Sequence, residues 1–243
     1  MNYAIFPIGG LGQRFEQAGY QNPKPFIDVL GKTQLEWSIL SCRLNYPEAE
    51  IIIGCREGIY EECLDFVSKL KLKTQQNIRI ISVGTSTTGA ANTVEIILNL
   101  ISDEKLDFDF IVLDNDVAVK LKRKPDFQKC DAALVITNSS NPAHSYVVTD
   151  ESCFVRKIAE KEIISELGVV GNYYFKSKHS YLNHYMKLSS TETEKYMSLV
   201  IREMLESGNS IHAEEAKQVV SYGTPEEISG LKLGALSFLT DET

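Results

Sequence analysis

Residues 3–15 read YAIFPIGGLGQRF, and residues 22–29 read NPKPFIDV. The first six positions are a nearly continuous apolar run, the pattern of a strand covered on both faces, and the run stops at Gly9, Gly10 and Gly12. A buried strand that empties into glycines is the opening move of an open α/β sheet, in which ligands sit beyond the carboxyl ends of the strands. Glycines at that place let backbone N–H groups come close to a phosphate. Arg14 follows two residues later with a planar guanidinium fork suited to phosphate oxygens, and Lys24 comes next on a chain stiffened by Pro23 and Pro25. Two well-defined phosphate loops do not fit. Counted from Gly10, a GxGxxG pattern has Phe15 where its third glycine belongs, and GxxxxGK[ST] does not occur.

Outward from this opening, strand and helix patterns alternate. QLEWSILSCRL (34–44) reads as a helix, EIIIGC (50–55) as a buried strand, IYEECLDFVSKL (59–70) as a helix and IRIISV (78–83) as a strand. AANTVEIILNLI (90–101) is again helical, and DFIVL (109–113) is a short strand that ends at DND (114–116). The alternation predicts an α/β fold with a mainly parallel sheet flanked by helices. After Pro125 the character changes. ALVIT (133–137), SYVV (145–148), FVRKIA (154–159) and GVVGNYYFK (168–176) are strands without long helices between them, which predicts a small antiparallel extension. Helices around 179–188 and 192–207 and a strand at 217–223 complete the reading, with residues 1–243 forming one domain.

Composition narrows the classes of function. A net charge of −8 and a pI near 5.1 argue against nucleic acid as a partner, so an anionic ligand must meet a local positive site. No apolar run approaches the roughly 18 to 20 residues that span a bilayer, and the opening stretch lacks the charged flank of a signal peptide, so the expected setting is cytoplasmic with no membrane partner. The five cysteines (Cys42, Cys55, Cys63, Cys130, Cys153) are odd in number and form no CxxC pair, which predicts small core residues. His144, His179, His184 and His212 show no metal-ligand spacing and read as surface or internally satisfied side chains. The basic run at 120–124 reads as solvated, and the triplet Asn138-Ser139-Ser140 has no meaning without a secretory signal.

Asp114 and Asp116 flank Asn115 at the end of an apolar strand. Residues two apart on a strand face the same way, so both carboxylates could be aimed at one hard cation such as Mg2+, which takes one or two carboxylates together with phosphate oxygens. The competing reading is a turn in which Asp and Asn bond to backbone.

GGLGQRF followed by NPKPFIDVLGK resembles the signature of the sugar-phosphate nucleotidyltransferases, such as glucose-1-phosphate thymidylyltransferases and cytidylyltransferases, which have a glycosyltransferase-A-like, Rossmann-like fold. TTGAANTV, IVLDNDV, IAEKE and GNYYFK resemble further family segments in the family's order. The resemblance implies that Gly9, Gly10, Leu11 and Gly12 wrap a nucleoside triphosphate, with Gly89 and Ala90 beside its base. It implies that Arg14 and Lys24 are catalytic through contacts to the transferring phosphates, and that Asp116, supported by Asp114, holds Mg2+. Glu160 would accept hydrogen bonds from acceptor hydroxyls, Lys161 would hold the acceptor phosphate, and Gly171 would leave room beside it. Two departures stand out: the usual EKP reads EKE, and a pattern like DVGTP reads SYGTP, placing Ser221 where relatives often have a second metal-binding aspartate. The implied activity joins a phosphorylated small molecule to a nucleoside triphosphate with release of pyrophosphate, giving an activated precursor for cell-surface polysaccharide, in a protein that could act as a homodimer. A metal-dependent glycosyltransferase of the same fold and a nucleotide-binding regulator without turnover are the alternatives, and the sequence leaves the base and the acceptor open.

Overall fold

A computed structural model describes residues 1–74, 77–101, 106–123, 127–189 and 193–240. Its centre is a sheet begun by four parallel strands, β1 (Tyr3–Ile8), β4 (Glu50–Cys55), β5 (Ile78–Ser82) and β6 (Phe110–Leu113), in the order β5-β4-β1-β6. The apolar runs of β1, β4 and β6 are buried on both faces, whereas the edge strand β5 is only partly buried beyond Ile78. Along β1, Ile5 packs into one layer with Val94 and Ile97 of helix α4 (Ala90–Leu100), whereas Ala4, Phe6 and Ile8 pack into the opposite layer with helices α2 (Gln34–Asn45) and α3 (Tyr60–Thr74). This two-sided burial is what a continuous apolar strand requires.

Beyond β6 the sheet continues through strands from the second half of the chain. β11 (Leu167–Phe175) runs antiparallel to β6 and to β8 (Ala132–Asn138), β12 (Ile211–Ser221) runs parallel to β8, and β7 (Val117–Leu121) closes the edge antiparallel to β12. The hairpin of β9 (Ser145–Thr149) and β10 (Val155–Glu160) joins through β11 and is the small antiparallel extension. The remaining elements are the short pair β2 (Asp28–Val29) and β3 (Lys32–Thr33) and the helices α1 (Gln13–Gln17), α5 (Lys178–Tyr185), α6 (Met197–Glu206) and α7 (Pro225–Gly230). Among the described residues no helix is long and apolar enough to cross a membrane. Pro125, Lys124 and Glu192, which the sequence reading used as a boundary, as part of a basic run and as a helix start, lie outside the described residues.

Several expectations change. DND is a turn between β6 and β7 and not a strand end, so its two carboxylates are aimed by turn geometry and not by strand alternation. β12 starts at Ile211, six residues before the predicted strand, and Cys153 is exposed while the other four cysteines are buried.

α2 also departs from its simple apolar reading, because part of its polar side is buried. Ser41 Oγ donates to Val119 O at 2.9 Å and accepts from Val119 N at 2.9 Å, and Asn45 donates to Val119 O at 2.7 Å and accepts from Leu121 N at 3.0 Å. Those side chains pair the edge of β7 that faces away from β12, giving an exposed sheet edge its missing partners. The Ser41→Ala variant leaves the buried Val119 N–H without its acceptor, while Val119 O keeps Asn45, at a cost of about 1–3 kcal/mol. Thermal denaturation should show Tm lower by roughly 2–4 °C for each kcal/mol lost, and an unchanged Tm would remove this edge-pairing role.

Candidate active site

The carboxyl edge of the parallel strands opens on a cavity of about 820 Å3. Every residue proposed from the sequence as a site residue lines it except Gly9 and Ser221. Gly9 instead packs behind the loop, where a Cβ would lie 3.0 Å from the hydroxyl oxygens of Thr87 and Thr93. At Gly10 a Cβ would meet nothing within 4 Å, so the loop faces open cavity there. Gly12 caps α1 with φ +70°, and a Cβ on it would sit 2.9 Å from Lys24 Cβ. The glycine loop is thus pressed directly onto the lysine segment, and exposed Arg14 leaves the first turn of α1 at the cavity wall.

Lys24 and the DND turn meet across 92 residues of sequence: Lys24 Nζ lies 2.5 Å from Asp116 Oδ2. Asp116 is fixed from behind by the end of β12, where Tyr222 N donates to Asp116 O at 2.9 Å and a Cβ on Gly223 would lie 2.8 Å from Asp116 Oδ2. Ser221 pairs with Val117 in the ladder, so it is Gly223 and not Ser221 that borders the carboxylate. Asp114 is seated by β11. Its N–H donates to Gly171 O at 2.8 Å, and Gly171, with φ +70°, would place a Cβ 2.3 Å from Asp114 Oδ2. The β11 register breaks between Val169 and Tyr173, and such a bulge re-aims backbone beside a site. Gly171 therefore makes room for Asp114. Burial pushes the Asp114 carboxyl up to about 7, the neighbouring Asp116 adds to the rise, and Lys24 opposes it.

On the opposite side, Glu160 Oε2 accepts from Ser198 Oγ at 2.6 Å and from Ser145 Oγ. Lys161 has φ +54° and donates from Nζ to Tyr196 Oη at 2.5 Å. Gly89 opens α4 with φ +133°, but the space a side chain would need there is taken by the backbone of Lys195, 2.6 Å from an added Cβ. The small residue at 89 serves chain packing, while Ala90 faces the cavity.

Sequence reading missed several lining residues. Thr87, Thr88 and Thr93 flank the glycine loop, Tyr173 and Tyr196 supply aromatic walls, and His144 lines the cavity while its Nδ1 lies 3.0 Å from Ser139 Oγ. The polar run TSTT (85–88) before GAANTV was the available signal for the threonines; Tyr196 carried none, because only the fold brings it to Lys161.

In open α/β sheets, ligands bind in the crevice at the carboxyl ends of the strands, where this cavity lies. The chain belongs to the nucleotidyl transferase family, whose model matches residues 4–219. It is 27% identical over 186 residues to a Sulfolobus acidocaldarius protein named as a mannose-1-phosphate guanyltransferase, a match covering 72% of this chain and 48% of that protein. The chain thus spans about half the length of this curated relative. The structure of a nucleoside-diphosphate-sugar pyrophosphorylase from Vibrio cholerae superposes with a TM-score of 0.84 at 25% identity, covering 93% of this chain and 98% of the other. An inositol-1-phosphate CTP transferase from T. maritima shares the fold with a TM-score of 0.79 at 17% identity, covering 99% and 95%.

Gly171 and Gly208 both have positive φ, +70° and +86°, but a Cβ at Gly208 meets nothing within 4 Å. Alanine at either position carries the left-handed cost of about 1–2 kcal/mol. Gly171→Ala should lower Tm further than Gly208→Ala because it also displaces Asp114; equal losses would mean that Gly171 is not reserved for that carboxylate.

Proposed function

We propose that the protein is a sugar-phosphate nucleotidyltransferase: the phosphate of a sugar 1-phosphate or similar monoester attacks the α-phosphorus of a nucleoside triphosphate. A new P–O bond forms, the bond from the α-phosphorus to the bridging oxygen breaks, and pyrophosphate leaves. The observation that carries this reading is that the glycine loop with Arg14 and Lys24, the DND turn, and Glu160 with Lys161 all line one cavity. Two phosphorylated ligands can be held there at once. Family membership and the Vibrio cholerae neighbour support the same reading.

The attacking group needs no general base, because a phosphate monoester with a second pKa of about 6 is already largely dianionic at neutral pH. The barrier lies in joining two anions and stabilising charge on phosphorus and on pyrophosphate. Arg14 and the loop N–H groups hold the triphosphate, and Lys24, at the junction of the two half-sites, neutralises the phosphates that approach one another. Glu160, its Oε2 occupied by Ser145 and Ser198, keeps a defined orientation toward acceptor hydroxyls.

Asp114 and Asp116 fit Mg2+: two hard carboxylates on one turn lining the cavity are a donor set that a divalent cation completes together with substrate phosphates. When bound, the ion would supply positive charge at the phosphate oxygens. A role in making activated precursors for cell-surface polysaccharide follows from this activity and is part of the proposal. A glycosyltransferase would release a nucleoside diphosphate and has no use for the glycine loop plus Lys24, and a regulator would release neither product.

Arg14→Ala and Lys24→Ala should each lower pyrophosphate release by about a hundredfold or more with the circular dichroism spectrum unchanged, since each loses charge-assisted contacts to the transferring phosphates. Near-normal turnover in either variant would sink the phosphate assignment. Turnover should also require magnesium. Asp116→Asn should nearly abolish it, Asp114→Asn should raise the magnesium concentration needed, and Ser221→Ala should change little; a Ser221→Ala variant as damaged as Asp116→Asn would refute this metal assignment.

A further inference from the structure

Lys161 is exposed, yet it is held at both ends. Its backbone has the left-handed φ of +54°, uncommon for a residue other than glycine, and its N–H donates to His144 O at 3.1 Å. Its ammonium donates to Tyr196 Oη at 2.5 Å and lies 4.2 Å from the centre of the same ring, and Tyr196 Oη in turn donates to Glu194 Oε2. Strained backbone of this kind persists where the surroundings enforce it, most often at functional sites.

Tyr196 is itself anchored from the far side of the cavity. Lys195 N donates to Thr88 O at 2.6 Å and Lys195 O accepts from Ala91 N at 3.0 Å, so the residue before Tyr196 is clipped onto the start of α4. Gly89 is what lets that backbone approach, as any Cβ there would collide with it. Tyr196 then caps the N-terminus of α6. The phenol is therefore delivered to Lys161 by an element fastened beside the glycine loop's threonines, and not by local sequence.

We infer that Tyr196 is a positioning residue, which holds the Lys161 ammonium in the cavity so that it meets the phosphate of a phosphate-monoester acceptor already in place; this rests on the proposed function above. A free lysine side chain has large rotamer entropy, lost when a phosphate immobilises it, and a hydroxyl and ring that hold the ammonium beforehand remove part of that cost. A phenol oxygen is also a weaker competitor for the ammonium than a carboxylate would be, so the phosphate can take up the remaining N–H donors. Glu194 accepts the phenol proton in a hydrogen bond, which turns the phenol's lone pairs toward Lys161. Burial works to lower the Lys161 pKa, but the bond to Tyr196 and the nearby Glu194 and Glu160 outweigh it and keep the ammonium above its ordinary value.

Tyr196→Phe keeps the ring and deletes only the oxygen. With the sugar 1-phosphate that the wild-type enzyme uses, the acceptor KM should rise about five- to tenfold, the loss of one modest hydrogen bond, while kcat and the triphosphate KM stay within about twofold. In a Lys161→Ala background, whose own acceptor KM is already raised, the same change should add nothing, because the two residues act through one contact. An equal effect in both backgrounds, or a fall in kcat as large as the rise in KM, would overturn the proposal. A readout independent of turnover separates it from the functional reading. In ligand-free protein carrying 13C-methylated lysines, the Lys161 signal, identified by its loss in Lys161→Ala, should titrate at lower pH in Tyr196→Phe than in the parent. An unchanged titration overturns the Lys161–Tyr196 contact whatever the enzyme does. Wild-type protein that releases no pyrophosphate with any triphosphate and sugar 1-phosphate overturns the functional reading, and with it the acceptor role given to Tyr196.

Discussion

The ammonium of Lys24, 2.5 Å from Asp116, ties the segment behind the glycine loop to the DND turn at the cavity. As a half-exposed ion pair it contributes little to stability. Its importance is positional, because everything around it is arranged so that the two groups can meet. Three glycines do this by the room they leave. Gly12 lets the phosphate loop lie against the Lys24 stem, Gly171 admits the Asp114 carboxylate, and Gly223 admits that of Asp116, with added Cβ atoms falling 2.9, 2.3 and 2.8 Å from those neighbours. The first glycine follows β1, the second lies within the bulge of β11, and the third follows β12. Three strands distant in sequence are thereby committed to one point in space.

That commitment explains the order of the sheet. β6 delivers Asp114, and the DND turn passes the chain to β7 at the far edge, where α2 side chains and β12 grip it from opposite sides. A hydrogen-bonded strand leaving the turn limits how far Asp116 can wander. The buried Ser41 and the partly buried Asn45 of α2 thus belong to the same chain of constraint as the carboxylates, although neither lines the cavity.

The fold was largely legible from the sequence, and the reasons for the exceptions are physical. β1, β4 and β6 are buried on both faces, so their apolar runs announce them, and the edge strand β5 shows an apolar run although it is only partly buried. β12 was misread over its first half because IHAEEAK is rich in helix formers, and pairing with β8 overrides that propensity. β7 is short and lies directly after a polar turn, which hid it. Within the site, the identities of the charged residues could be read because their chemistry is specific to residue type: a glycine loop, an arginine, a lysine between prolines and a pair of aspartates all face the cavity. The reasons for the glycines could not be read. Gly89 and Gly171 looked like space for ligand, whereas Lys195 and Asp114 occupy it, and only tertiary packing decides what fills the space beside a glycine.

The same distinction bears on how the parts of the cavity lining are connected to one another. Thr87 and Thr93 pack against the glycine loop at Gly9, and the stretch around Lys195 and Tyr196 bonds both to the start of α4 and to Lys161. A ligand that shifts the start of α4 moves Lys195 through two backbone hydrogen bonds, and Tyr196 is the next residue along. Backbone bonds transmit such a shift with little slack, because neither partner has rotamers to absorb it. The path thus runs through backbone hydrogen bonds as far as Lys195 and reaches the Lys161 ammonium through the Tyr196 phenol. Coulombic contacts in the cavity set which ligands bind, while this backbone clip sets how closely the geometry on one side follows the geometry on the other.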